Sequence, residues 1–309
     1  MSVGYNDSMD LKQKFEELVK NRNFKPNLML GQHFMIDQAA INKMVQTINK
    51  NTVVIEIGPG FGQLTSALAV KAGKVIAIEI DNRFRKSLLQ IKKKHKNVEI
   101  IFGDALLGFF DTLVSKEVKS HKPVRIVSNL PYHVTEPFIK KIVNLTGIRL
   151  ILTVGKKSGY QLQLTDPSDL NFTQLSYVCR SFYTVKKIAD LPKEAFWPVP
   201  KTDSVILELI PKKVNSRENV DDFIGQKIIH GQKHGALIKN VLMSAFINLK
   251  ELGGVAITKN QSRAIVNSLD VSDELLNKSF SQLDNNEVRV LATSITKVEL
   301  TTANFSSGS

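Results

Sequence analysis

The run VVIEIGPGFGQLT, residues 53–65, decides the fold of this chain. Four β-branched residues with one acid among them, Glu56, have the makeup of a strand covered on both faces. Gly58, Gly60 and Gly62 then fall at alternate positions before a helical stretch. Glycines in such a place allow a tight strand-to-helix turn and a close approach of backbone to a ligand. The spacing is G-x-G-x-G rather than the dinucleotide G-x-G-x-x-G, and no phosphate-loop lysine follows, which disfavours a triphosphate.

Outward from that turn the pattern repeats. FGQLTSALAVKAG (61–73) reads as a helix, KVIAIEID (74–81) as a strand, RKSLLQIKKKHK (85–96) as a basic helix and VEIIFGDA (98–105) as a strand. VRIVSN (124–129), RLILTV (149–154) and SVILELIP (204–211) extend the series, the last preceded by the Pro-rich FWPVPK. Alternating strands and helices predict an α/β fold, a Rossmann-like parallel sheet with helices on both faces. After PKKVNSREN, read as a linker, the texture is that of amphipathic helices, with Ser272 placed to start one of them. The expected organisation is an N-terminal helical extension (1–23), a sheet-containing catalytic domain (24–211), a small helical C-terminal domain (212–300) and a disordered tail (301–309).

Composition narrows the partners. The 309 residues are 42% hydrophobic and 23% charged, the profile of a chain that buries a core. Lys and Arg number 42 against 29 Asp and Glu, a formal charge of +13, so polyanions and above all nucleic acid are the expected partners. The one cysteine, Cys179, excludes an intramolecular disulfide and a cysteine-built metal site, so no metal is expected. No run of about 18 apolar residues is present, and MSVGYNDSMDLKQKFEELVK lacks the apolar centre of a signal peptide. A cytoplasmic monomer with no membrane contact is the expectation.

Three strand ends offer polar groups to one crevice: Glu56, Glu79 in IAIEID and Asp104 in FGDA. An acid at the end of the second strand suits a ribose diol, and Asp104 suits an adenine amino group. S-Adenosylmethionine has both of these parts and no phosphates to cradle. A further strand end reads SNLPYHVTEP (128–137), where Pro131 stops the sheet ladder and leaves Asn129 and Tyr132 at its mouth. Alone, this is equally a plain strand-to-helix turn.

The ordered set LGQHFMID, EIGPGFG, IEID, GDA, NLPY and FWPVPKTDS resembles the rRNA adenine N6-methyltransferases over roughly residues 24–211. That family holds the small-subunit dimethyladenosine transferases and the erythromycin-resistance methylases. LGQHFMID, FWPVPKTDS and HGQKHGALIKNVL lean toward the small-subunit branch. The resemblance implies a methyltransferase sheet and transfer of methyl groups from S-adenosylmethionine to adenosine N6 in rRNA. The implied target is two adjacent adenosines near the 3′ end of small-subunit rRNA, within a pre-ribosomal particle. It further implies catalytic roles for Asn129, Leu130, Pro131 and Tyr132, with Phe196 on the opposite face of the adenine. Cofactor contacts are implied for Gln32, His33, Glu56, Gly58, Gly60, Gly62, Glu79, Ile80, Asp104, Ala105 and Asn129. The alternative for Phe196 is a core aromatic ahead of a proline turn, and for His33 a partner to local backbone.

The small-subunit branch carries a Gln-Lys-Glu stretch after its RLILTV-like strand, whereas this chain reads GKKSGYQLQLTDPSDLNF. Substrate contacts on that side are therefore left open. So are two other functions: a resistance-type methylase of large-subunit rRNA, and a non-catalytic RNA-binding, assembly or transcription factor on the same fold. The intact NLPY and acidic strand ends argue against the last, since a pure binder needs no acceptors for an amine.

Overall fold

The structure is a computed structural model that describes residues 10–21, 23–120, 122–145, 147–212, 219–252 and 256–302. Helix α1 (Leu11–Asn21) precedes a short strand β1 (Phe34–Met35) and helix α2 (Gln38–Met44). Strands and helices then alternate: β2 (Val53–Ile57), α3 (Gln63–Lys71), β3 (Lys74–Glu79), α4 (Arg85–Lys94), β4 (Val98–Phe102), α5 (Phe109–Val118), β5 (Val124–Asn129), α6 (Thr135–Ile142) and β6 (Arg149–Gly155). There follow α7 (Lys156–Gln163), α8 (Gln174–Phe182), β7 (Tyr183–Leu191), β8 (Phe196–Trp197) and β9 (Ser204–Pro211).

Seven strands form one sheet in the order β4-β3-β2-β5-β6-β9-β7. β2 runs parallel to β3 and β5, β3 to β4, and β5 to β6, while β9 is antiparallel to β6. Every residue of β2 is buried, Glu56 included, because helices cover both faces of a parallel sheet. The strand order reverses between β2 and β5, and in such sheets ligands bind outside the carboxyl ends of the strands at that reversal. Glu56 and Asn129 sit on those two strands.

Two apolar clusters hold this part together. One packs Ala40, Met44, Leu64 and Leu68 of α2 and α3 against Val54 and Val75 of the sheet. The other is aromatic: Phe15 of α1 meets Phe34, Phe61 and Trp197 with ring centroids 5.4–5.6 Å apart. Phe24 and Phe84 complete it. β1 pairs antiparallel with β8, setting Met35 opposite Phe196. Phe196 is 1% exposed and belongs to the first cluster. The ring expected against the target base is therefore a core side chain, the alternative that its place before a proline turn had left open.

The helices α9 (Val220–Gly231), α10 (Ile238–Leu252), α11 (Lys259–Asn267), α12 (Asp273–Leu276) and α13 (Asn285–Thr302) follow. Ser272 starts α12 by accepting the Leu275 N–H, and Thr258 with Gln261 forms a capping box on α11. By packing, the chain divides into two units. One comprises Met1–Lys141, Ile148–Gly159 and Lys186–Ile210, the other Ile142–Gly147, Tyr160–Val185 and Pro211–Ser309. The helical unit thus takes in α8, which lies well before the boundary expected at 211–212. The tie is physical: Arg180 on α8 is bonded to Asp221 on α9, which also accepts the Thr296 hydroxyl of α13. Of the expected disordered tail, residues 301 and 302 continue α13, and the rest lies outside the described residues, as does most of the linker read at 211–219. Among the described residues no helix is long and apolar enough to cross a membrane.

Candidate active site

A crevice opens at the carboxyl ends of β2, β3 and β5, floored by the Gly58–Gly60 turn and walled by the 30–35 segment. Gly58, Gly60 and Gly62 all have positive φ, 67°, 57° and 89°, which L side chains rarely adopt. They serve different ends. No atom lies within 4 Å of where a Cβ on Gly58 would stand, so the space beside it is open. A Cβ on Gly60 would strike the Phe34 ring at 2.9 Å. Gly62 lets α3 start against α4, since its Cβ would strike the Ile91 side chain.

The acids differ as well. Glu56 lines the crevice, is 1% exposed, and its Oε2 has no hydrogen-bond partner. Burial pushes its carboxyl up to about 8, with Glu79 adding, which favours the protonated acid at neutral pH. Glu79 accepts the Gly60 N–H on Oε2 and the Asp81 N–H on Oε1, both at 2.8 Å. Burial raises its pKa, opposed by those backbone donors. A carboxylate oxygen accepts more than one bond, so both oxygens keep capacity for hydroxyl donors. Ile80, 51% exposed, sets an apolar flank beside them. Asp104 lies two residues beyond β4, where Gly103 N–H bonds the Glu79 carbonyl, and its Oδ1 accepts the Leu106 N–H at 2.8 Å. Neither Asp104 nor the buried Ala105 lines the crevice.

Gln32 lines the crevice, but its amide is committed. Oε1 accepts the Asn27 N–H at 2.8 Å and an Arg83 N–H at 3.2 Å, and Nε2 donates to Asp81 Oδ2 at 2.7 Å. Arg83 grips both oxygens of Asp81, donates to the Lys25 carbonyl and lies 4.9 Å from the Phe24 ring centroid. Partial burial works against ionisation of Asp81, yet the Arg83 and Gln32 bonds hold its pKa below the ordinary carboxyl value. This clamp fastens the 27–33 segment to the end of β3. Sequence reading singled out Glu79 and passed over Asp81 and Arg83; the signal was an acid and a base two residues apart just beyond a strand.

His33 Nδ1–H donates to the Pro198 carbonyl at 2.7 Å, a main-chain partner 165 positions away rather than the local backbone expected for it. Its own carbonyl accepts Asn129 Nδ2–H at 2.8 Å. That bond fixes the Asn129 amide, and among the described residues no group donates to Asn129 Oδ1. Leu130 N–H bonds the Thr153 carbonyl at 3.1 Å and its side chain is buried, so the chain is anchored where Pro131 turns it. Tyr132 is half-buried. Its hydroxyl shares a 2.7 Å hydrogen bond with Ser204 Oγ, and its ring lies near-parallel to His33 at 18° with centroids 6.0 Å apart. Burial raises the phenol pKa, although the Ser204 bond opposes it. Gly155 makes room for this ring, because a Cβ there would lie 3.1 Å from it. Asn129 and Pro131 thus share one crevice with Glu56, Glu79 and Gly58.

A family model described as ribosomal RNA adenine dimethylase matches residues 23–237. Among curated proteins, the probable ribosomal RNA small subunit methyltransferase A of Pyrococcus furiosus is 31% identical over 78% of this chain and 86% of its own length. The ribosomal RNA small subunit methyltransferase A of Bacillus pumilus is 33% identical over 74% and 80%. The crystal structure of a dimethyladenosine transferase from Plasmodium falciparum has the same fold, with a TM-score of 0.54 and 24% identity, covering 86% of this chain and 98% of that one.

Proposed function

Because the chain belongs to the ribosomal RNA adenine dimethylase family, we propose that the corner Asn129–Tyr132 presents adenosine N6 of small-subunit rRNA for dimethylation. The methyl donor in this reading is S-adenosylmethionine, and the targets are two adjacent adenosines near the 3′ end of that RNA.

The crevice suits such a donor. The space beside Gly58 admits a ligand against backbone, Glu79 retains lone pairs for a ribose diol, Ile80 flanks a flat ring, and Glu56 holds an unsatisfied polar atom. When bound, the donor supplies a sulfonium-activated methyl group.

An exocyclic adenine amine is a weak nucleophile because its lone pair is delocalised into the ring. Acceptors on its two hydrogens draw the nitrogen toward tetrahedral geometry and free that lone pair. Asn129 Oδ1 and the Leu130 carbonyl serve as these acceptors, and Pro131 fixes the angle between them. The same oxygens stabilise the positive charge that develops on N6, which is neutralised by loss of a proton to solvent. Tyr132 offers a ring face to the extruded base. Catalysis is positioning and electrostatics, with no covalent bond to the protein.

The observation that carries this reading is the Asn129 Nδ2 bond to His33, which leaves Oδ1 as the free acceptor at the crevice. The test supplies a labelled methyl donor with undermethylated 30S particles or protein-free 23S rRNA and maps the labelled base. Label on adjacent adenosines of the small-subunit RNA is expected; label on large-subunit RNA alone would assign the other branch of the family.

A further inference from the structure

The parallel strands β4, β3, β2 and β5 are neighbours, so the connections that enter them meet at one end of the sheet, opposite the crevice. Backbone bonds lace these connections together. Val53 N–H bonds Pro123 O, Gly73 N–H bonds Thr52 O and Val75 N–H bonds Asn97 O, while Asn97 Nδ2 reaches Ala69 and Ala72.

The four connections, 45–52, 70–73, 92–97 and 115–123, contain nine lysines and one acid. All nine lysines are exposed. The acid, Glu117, is buried and bonded to Lys74 at 2.7 Å. Over the whole chain basic residues exceed acidic ones by only 42 to 29, so overall composition does not account for nine against one. Helix dipoles account for some: Lys92, Lys93 and Lys94 close α4, Lys116 closes α5, and Lys50 donates to the Val70 carbonyl in the last turn of α3. Lys96, Lys119 and Lys122 lie past their helices, and among the described residues neither they nor Lys93 take part in an ion pair. Like charges gathered from four chain segments repel one another. An arrangement of this kind suits a polyanion that tracks across the strand ends.

We propose that this face is a second RNA contact, gripping phosphate backbone about 15–20 Å from the crevice, the length of the intervening strands. The inference rests on the reading that ribosomal RNA is the substrate. The lysines act on docking of the structured RNA and take no part in methyl transfer.

The test replaces Lys93, Lys96, Lys119 and Lys122 with Ala and measures binding to undermethylated 30S particles between 50 and 200 mM salt. Four lost phosphate contacts lower the slope of log K against log salt by about 3, at roughly 0.7–0.9 per contact. Affinity at 100 mM salt falls at least tenfold, while donor binding by calorimetry is unchanged. A control removing exposed Lys12, Lys20 and Lys25 changes the slope by less than about 1. An unaltered slope in the quadruple variant, or an equal loss in the control, overturns the inference while leaving the enzymatic reading intact. Loss of binding to anionic phospholipid vesicles with particle binding preserved overturns it too and assigns the face to membrane. Failure of the wild-type chain to bind and methylate the particles removes both.

Discussion

Asn129 Nδ2 donates to the main-chain carbonyl of His33 at 2.8 Å, across 96 residues of sequence. The side chain credited with holding the target amine is thus oriented by the same segment that Arg83 and Asp81 fasten to the end of β3. The proposed substrate corner and donor crevice share one support.

Arg83 acts through others: it immobilises Asp81 and Gln32, which hold the 27–33 wall of the crevice. Arg83→Met is expected to raise KM for the methyl donor roughly three- to tenfold, the scale of one or two net hydrogen bonds, with little change in kcat. Steady-state kinetics with the donor varied decide this; a fall confined to kcat would contradict it.

Glu56 gives a pH dependence of definite sign. Its folded pKa, about 8, lies above the unfolded value near 4.5, so between these pH values the folded state binds more protons. The contribution is neutral below the lower value, and stability falls as pH rises through the window, by on the order of a few kcal/mol in all. Urea midpoints of the ligand-free protein from pH 5 to 9 should decline more steeply than those of Glu56→Gln. Parallel profiles would show that the carboxyl is not protonated in the fold.

The glycines should part company. Gly62→Ala forces a Cβ into Ile91 and should lower Tm by several degrees with modest change in donor affinity. Gly58→Ala meets no protein atom, so its stability loss is confined to about 1–2 kcal/mol of left-handed strain. Donor affinity falls at least tenfold because the methyl group enters the open space. Thermal melts paired with calorimetry read both.

Phe196 is expected to behave as a core residue. Phe196→Ala should cost about 3–5 kcal/mol in denaturant titration, whereas Phe196→Leu should fold and retain kcat within a few-fold. A Leu variant that is stable and inactive would return the ring to the substrate.

Much of this was legible from sequence for a local reason. The GPGFG turn could be read because three left-handed backbone positions demand glycine, and NLPY because a proline ends a strand where it stands. What could not be read depends on partners remote in the chain. Gln32 has the residue type of a ligand contact, yet its amide is occupied by Asp81 and Arg83, 49 and 51 positions away. Phe196 follows the same rule, since its neighbours in the core come from α2, α3 and the sheet. Nor does composition near residue 211 reveal that α8 packs with the C-terminal helices; the Arg180–Asp221 bond that joins them spans 41 residues.

The most direct measurement is single-turnover methyl transfer by Asn129→Ala, alongside its affinity for the donor. Loss of the free amide oxygen should slow transfer by roughly 10²–10³, the scale of removing one preorganised electrostatic contact, with donor affinity within about threefold of wild type. Normal turnover in that variant would contradict the assignment of the Asn129–Tyr132 corner as the group that prepares the amine.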